Sequence, residues 1–184
     1  MRGSERKAPE HIETTRLTLV KPAASDAASI FERYAGDPDV TRFLGWPRHA
    51  SVADTHAFLQ FSAHEWDRWP AGPYLIRSRS DGRLLGGTGL AFDTPDQSAT
   101  GYVLAKDAWG KGLATEALGA MVDVARRVGV ARLYALCHPQ HRASWRVLEK
   151  CGFERDAAWT RQVEFPNLAP GAPQDALCYA VRLI

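Results

Sequence analysis

Gly110 and Gly112 bracket Lys111 in the run Trp109-Gly110-Lys111-Gly112-Leu113-Ala114-Thr115, where an apparent strand becomes a helix. Upstream, Ala99 to Leu104 reads as a strand. Downstream, Leu113, Ala114, Ala117, Leu118, Met121, Val122 and Ala125 recur at helical spacing. Two glycines at such a junction let backbone N–H groups turn toward one point, where the helix N-terminus adds partial positive charge. The chemistry on offer is the binding of an anion. An ordinary strand-to-helix turn needs no more than this, so the ligand has to be argued from other residues. His138 and His141, three positions apart after the next strand, would suit a metal only with a third ligand. None lies at a useful spacing, and no metal is expected.

Two common phosphate loops do not fit. A Walker loop requires Gly-Lys-Ser/Thr, and here Lys111 is followed by Gly112. The dinucleotide fingerprint requires a third glycine where Thr115 stands, and an acid about twenty residues on, where the chain reads Ala131-Arg132-Leu133.

The pair of segments WGKGLATEAL and HPQHRASWRVLEKCGF, with TTRLTLVKPAASDAASIFE near the start and DGRLLGGTGLAF mid-chain, resembles the GNAT superfamily of acyl-CoA-dependent N-acyltransferases. Within it the chain looks like the branch containing the ribosomal-protein alanine N-acetyltransferases. The likeness runs from about Thr15 to the C-terminus. Trp109-x-x-Gly112-x-Ala114 falls on the family's pyrophosphate motif, Arg/Gln-x-x-Gly-x-Gly/Ala, with Trp in place of the usual first residue. The resemblance implies that Trp109, Gly110, Lys111, Gly112, Leu113, Ala114 and Thr115 hold the pyrophosphate of acetyl-CoA. It further implies that Tyr102, Val103 and Leu104 splay from the neighbouring strand and offer backbone groups to the pantetheine arm.

Two family residues are missing. Where many members carry a strand glutamate as base, this chain reads Ser98-Ala99-Thr100, and where many carry a tyrosine as acid it has Leu148. Asp93 and Asp96 in the preceding turn, or Glu65 and Asp67 on a helix, are the remaining carboxylates, each equally a turn former or a solvated face. For the leaving thiolate the resemblance leaves Ser144, or else His141, which stands where the family most often has an asparagine contacting pantetheine. Phe43 to Arg48 resembles the family segment that walls the acceptor site, and Trp46 and Asn167 are the expected substrate-binding residues. The implied activity is direct transfer of an acetyl group from acetyl-CoA to a primary amine, on a peptide N-terminus or a small molecule. The alternative is a non-catalytic acyl-CoA-binding or regulatory module on the same fold.

Several elements must position these groups. Arg16 to Lys21 reads as a strand, Ser25 as the N-cap of a helix through Tyr34, and Ser51 to Trp69 as a second helix. Tyr74 to Ser78, Leu84 to Phe92, Ser98 to Leu104, Ala131 to Cys137 and Leu177 to Leu183 read as strands. The expectation is an α+β fold: a mixed, mostly antiparallel sheet of about six to seven strands with helices on both faces. Residues 14–184 form a single domain behind a flexible tail at 1–13. With 23 basic and 21 acidic side chains, no large field points to nucleic acid, and no apolar run is long enough to span a bilayer. Cys137, Cys151 and Cys178 form no even disulfide set and read as buried thiols in a reducing, cytoplasmic setting. A monomer or homodimer is expected.

Overall fold

A computed structural model describes residues 7–183. Nine strands form a sheet: β1 (His11–Glu13), β2 (Leu17–Val20), β3 (Pro73–Ser78), β4 (Leu84–Thr94), β5 (Gln97–Leu104), β6 (Arg132–Cys137), β7 (Glu154–Arg155), β8 (Arg161–Val163) and β9 (Gln174–Arg182). Their order is β1-β2-β3-β4-β5-β6-β9-β7, with β8 on β9. Every pairing is antiparallel except β5 with β6. The helices are α1 (Ala27–Ile30), α2 (Pro38–Thr41), α3 (Val52–Arg68), α4 (Leu113–Val128) and α5 (Arg142–Lys150).

The strand count exceeds the six to seven expected because β1, β7 and β8 have three, two and three residues, too few to display a two-residue alternation. β1 also corrects the tail boundary. His11 to Glu13 pair with Thr18 to Val20, and Ala8, 5% exposed, donates its N–H to the Pro70 carbonyl at 2.7 Å. The part of the expected tail at residues 1–6 lies outside the described residues. The first helical segment likewise starts differently. Asp26 accepts the Ala23 N–H at 2.8 Å and closes a 3₁₀ turn over Ala24–Asp26, which leaves Ser25 inside the turn rather than capping it.

Alternation along the strands sorts the core into two layers. Leu17, Leu19, Tyr74, Ile76, Leu85 and Leu104 meet α4 and α5, while Leu75, Leu84 and Val103 meet α1, α2 and α3. The glycine-loop helix α4 and the Trp46 segment therefore lie on opposite faces of the sheet. Cys137 and Cys178 are buried, whereas Cys151 is half-buried and donates to the Thr115 carbonyl at 3.4 Å. No helix among the described residues is long and apolar enough to cross a membrane.

Candidate active site

The chain leaves β5 through a 3₁₀ turn at Lys106–Ala108 and enters α4 across Trp109 to Gly112. Gly110 and Gly112 adopt φ of +71° and +74°, the left-handed region that favours glycine. None of the backbone N–H groups from Gly110 to Thr115 meets an acceptor among the described residues. A Cβ on Gly110 would meet nothing within 4 Å, and one on Gly112 only the Arg16 Nη2, at 3.5 Å. The result is a run of unpaired N–H donors, with open space at both glycines, at the positive end of a sixteen-residue helix, an arrangement that suits an anion.

The loop is anchored at both ends. Trp109 Nε1 donates to the Leu104 carbonyl at 2.8 Å, tying the loop to the last residue of β5 and leaving the indole ring 48% exposed. The Lys111 ammonium donates to the Asp107 carbonyl at 2.7 Å. At the helix end, Arg16 donates through Nη1 to the Lys111 carbonyl and through Nε to Glu116, both at 2.7 Å. Thr14 and the Arg16 N–H complete the cage around Glu116. Burial pulls the Glu116 carboxyl upward, but the Thr14 and Arg16 hydrogen bonds and charge outweigh it and hold the group below its usual range. Sequence reading missed Arg16 and Glu116, which lie a hundred residues apart; the acid in the first turn of α4 was the available signal.

The parallel ladder between β5 and β6 runs from Gln97↔Arg132 to Ala99↔Tyr134 and then stops, although β5 continues to Leu104 and β6 to Cys137. The two strands part there, as expected for Tyr102, Val103 and Leu104. A cavity of about 1030 Å³ opens at the fork and is lined from both layers: by Tyr102, His141 and Ser144 on one side and Tyr34, Trp46 and Phe58 on the other.

Ser144 and His141 both face this cavity. The Tyr102 hydroxyl donates to the Ser144 carbonyl at 2.6 Å and lies 3.2 Å from the Ser144 Oγ. Burial holds the Tyr102 phenol far above its ordinary range, so it stays neutral. With its single proton on the carbonyl, the Tyr102 oxygen accepts from the Ser144 hydroxyl. His141 stacks on Phe43 at 4.8 Å, and its ring nitrogens meet no partner among the described residues. Burial, and secondarily His138, push its pKa down, so at neutral pH it is an uncharged imidazole rather than a ready acid.

Of the two expected substrate-binding residues, Trp46 lines the cavity and Asn167 does not. Its Oδ1 accepts the Arg48 N–H at 2.8 Å, and its Nδ2 donates to the carbonyls of Thr41 and Trp46 at 2.7 and 2.9 Å. The side chain straps the loop after β8 to the end of α2 and the segment that follows it. The carboxylates considered as bases also fail to reach the cavity lining: Asp93 accepts from Tyr134 at 2.7 Å and Gln97 at 3.1 Å, while Asp96 accepts from Thr94 at 2.6 Å. Glu65 and Asp67 sit on α3 away from the cavity. One titratable group that sequence reading missed is His49. It lines the acceptor side, with Nδ1 2.8 Å from the buried Thr55 Oγ1, and burial lowers its pKa against the upward pull of Asp54.

Both depressed imidazoles have a consequence for stability. Below the unfolded-chain value of about 6.5, the unfolded state takes up these protons while the folded state resists them. Stability is therefore full above that value and falls as the pH drops toward the folded values. The melting temperature should decline between neutral pH and mildly acidic pH, and His141→Asn should flatten the slope. A flat profile in the parent protein would contradict this.

The acetyltransferase (GNAT) domain model matches residues 16–154. The uncharacterized N-acetyltransferase YoaA of Bacillus subtilis is 27% identical over 173 residues, covering 92% of this chain and 95% of its own. Among solved structures, RimL, a ribosomal L7/L12 α-N-protein acetyltransferase in complex with coenzyme A, superposes with a TM-score of 0.80 at 22% identity, over 95% of this chain and 98% of that one. The microcin C7 self-immunity acetyltransferase MccE, in complex with acetyl-CoA and AMP, does so at 0.81 and 18% identity, over 96% and 98%. At such identities the structures attest the fold, and the domain match adds the lineage. It takes in the glycine loop, the parted strands and Ser144, and by it the chain belongs to the GNAT family of acetyltransferases.

Proposed function

We propose that this protein moves an acetyl group from acetyl-CoA directly to a primary amine. The observation that carries the reading is the cavity at the β5–β6 fork, lined from both layers of the fold. One face presents the free N–H groups of Gly110 to Thr115, where a pyrophosphate would sit, and the backbone of Tyr102 to Leu104 would hold the pantetheine arm. The other face presents the Trp46 wall, where an amine would enter.

When bound, acetyl-CoA supplies a thioester: a C–N bond forms and the C–S bond breaks, while the ammonium gives up two protons in becoming the amide N–H, one taken by the leaving thiolate and the other released to solvent. The chain's part is to hold both partners in line and to handle those two protons. Ser144 gives a hydrogen bond or proton on the thiolate side, oriented by Tyr102. His141 faces the same space as a neutral imidazole and serves the pantetheine arm as a hydrogen-bonding partner. Cys137 is the one cysteine lining the cavity, but burial, then Cys178, push its thiol up to about 12. It is a poor nucleophile at neutral pH, which supports direct transfer over an acyl-enzyme. A reducing, cytoplasmic setting fits three free thiols.

Calorimetry with acetyl-CoA and with ATP, followed by a thiol-release assay across amines, tests the reading. Acetyl-CoA should bind and ATP should not. Absence of acetyl-CoA binding would overturn the proposal, and binding without thiol release from any amine would leave a binding module.

A further inference from the structure

The acceptor half of the cavity is built for one kind of amine. α3 turns Asp54, Ala57, Phe58 and Phe61 toward it, a stripe at the i, i+3, i+4, i+7 spacing of a single helix face. Phe61 is 54% exposed, one of two large apolar side chains so exposed among the described residues; the other, Trp109, lies in the glycine loop. The same cavity is also lined by Trp46, Phe43 and Phe165. An exposed aromatic ring at the rim of a cleft is apolar surface waiting for an apolar ligand.

Charge narrows the choice. Among the described residues Asp54 is the only carboxylate lining the cavity, and its Oδ2 already accepts the N–H groups of Ala50 at 2.8 Å and Ser51 at 3.2 Å. Arg48 is the only lysine or arginine. A polyamine would bring a second ammonium with no carboxylate to meet it. An extended peptide would bring an N–H and a C=O at every residue, and the aromatic stripe offers them no partners. A single ammonium, by contrast, suits aromatic faces beside one carboxylate. His49, held between Trp46 at 5.2 Å and Phe58 at 6.5 Å, adds no positive charge to repel it while its imidazole is neutral.

We infer that the acceptor is a monoamine carried on an apolar aromatic body, the chemical class of the 2-arylethylamines, with its ring on the Phe58–Phe61 stripe. The inference rests on the acetyl-transfer reading above. Its test compares 2-phenylethylamine and tryptamine with n-butylamine, spermidine and hexapeptides bearing N-terminal alanine or serine, by thiol release from acetyl-CoA. The two aryl amines should show the highest kcat/KM, by at least about tenfold. Phe61→Ser, a surface change, should raise KM for 2-phenylethylamine roughly tenfold, the worth of covering about half a phenylalanine. KM for acetyl-CoA and the melting temperature should not move, and Phe58→Leu should act in the same direction.

A preference for spermidine or the peptides would overturn the inference, as would an unchanged KM in Phe61→Ser. So would acetyl-CoA binding with no aryl amine acetylated. If acetyl-CoA itself does not bind, the underlying acetyl-transfer reading fails instead, so the two failures are separable by calorimetry on the same sample.

Discussion

Gly112→Val should lower the affinity for acetyl-CoA more than a hundredfold by calorimetry, while the protein still folds. Valine is doubly unsuited there. At a φ of +74° a side chain costs roughly 1–2 kcal/mol, more for a β-branched residue, which reduces stability without exceeding that of an ordinary domain. The larger effect is on the ligand: the valine methyls would occupy the open space beside the free N–H groups and crowd the Arg16 guanidinium, 3.5 Å from the first added carbon. Gly119, mid-way along α4 with open space around it, provides the contrast. Gly119→Ala should stabilise the helix by about 1 kcal/mol and leave binding intact. Retained affinity in Gly112→Val would refute the phosphate site.

Ser144→Ala should reduce kcat about a hundredfold with KM for acetyl-CoA little changed, the signature of an interaction made mainly in the transition state. Tyr102→Phe should cost several-fold, because its hydroxyl orients the first turn of α5 through the 2.6 Å bond to the Ser144 carbonyl rather than acting on the substrate. The ranking is the diagnostic part. A larger loss in Tyr102→Phe would make the phenol the proton donor, and unchanged turnover in Ser144→Ala would remove the serine from the chemistry.

What was legible in the residues is what depends on neighbours in the chain. The glycine loop is one continuous segment, and its φ values and free N–H groups follow from two glycines before a helix. The long strands, α3 and α4 announce themselves by period. The parting of β5 from β6 followed from resemblance, not from pattern, since nothing in Thr100 to Leu104 marks a strand without a partner on one side. The misreadings are tertiary. Asn167 is a polar loop residue in any local view; only the fold brings Thr41, Trp46 and Arg48 around it. The same holds for Arg16 on Glu116, and for His49, whose burial comes from Trp46, Thr55 and Phe58 closing over it. Phe58 was already placed on its helix, but which neighbours its face would meet depended on how α3 lies against the sheet.

The fork between β5 and β6 also means that this sheet carries two raw edges in its interior. Exposed edges invite pairing with another chain, and proteins ordinarily blunt them at the rim of a sheet. Here the end of β5 runs past that of β6 without pairing to it, at a cavity lined by α5 and by the aromatic side chains. A linear ligand with amide groups along its length would complete the ladder as a surrogate strand. The donor would then be a temporary part of the architecture, and the seam it closes would be mended and reopened once per turnover.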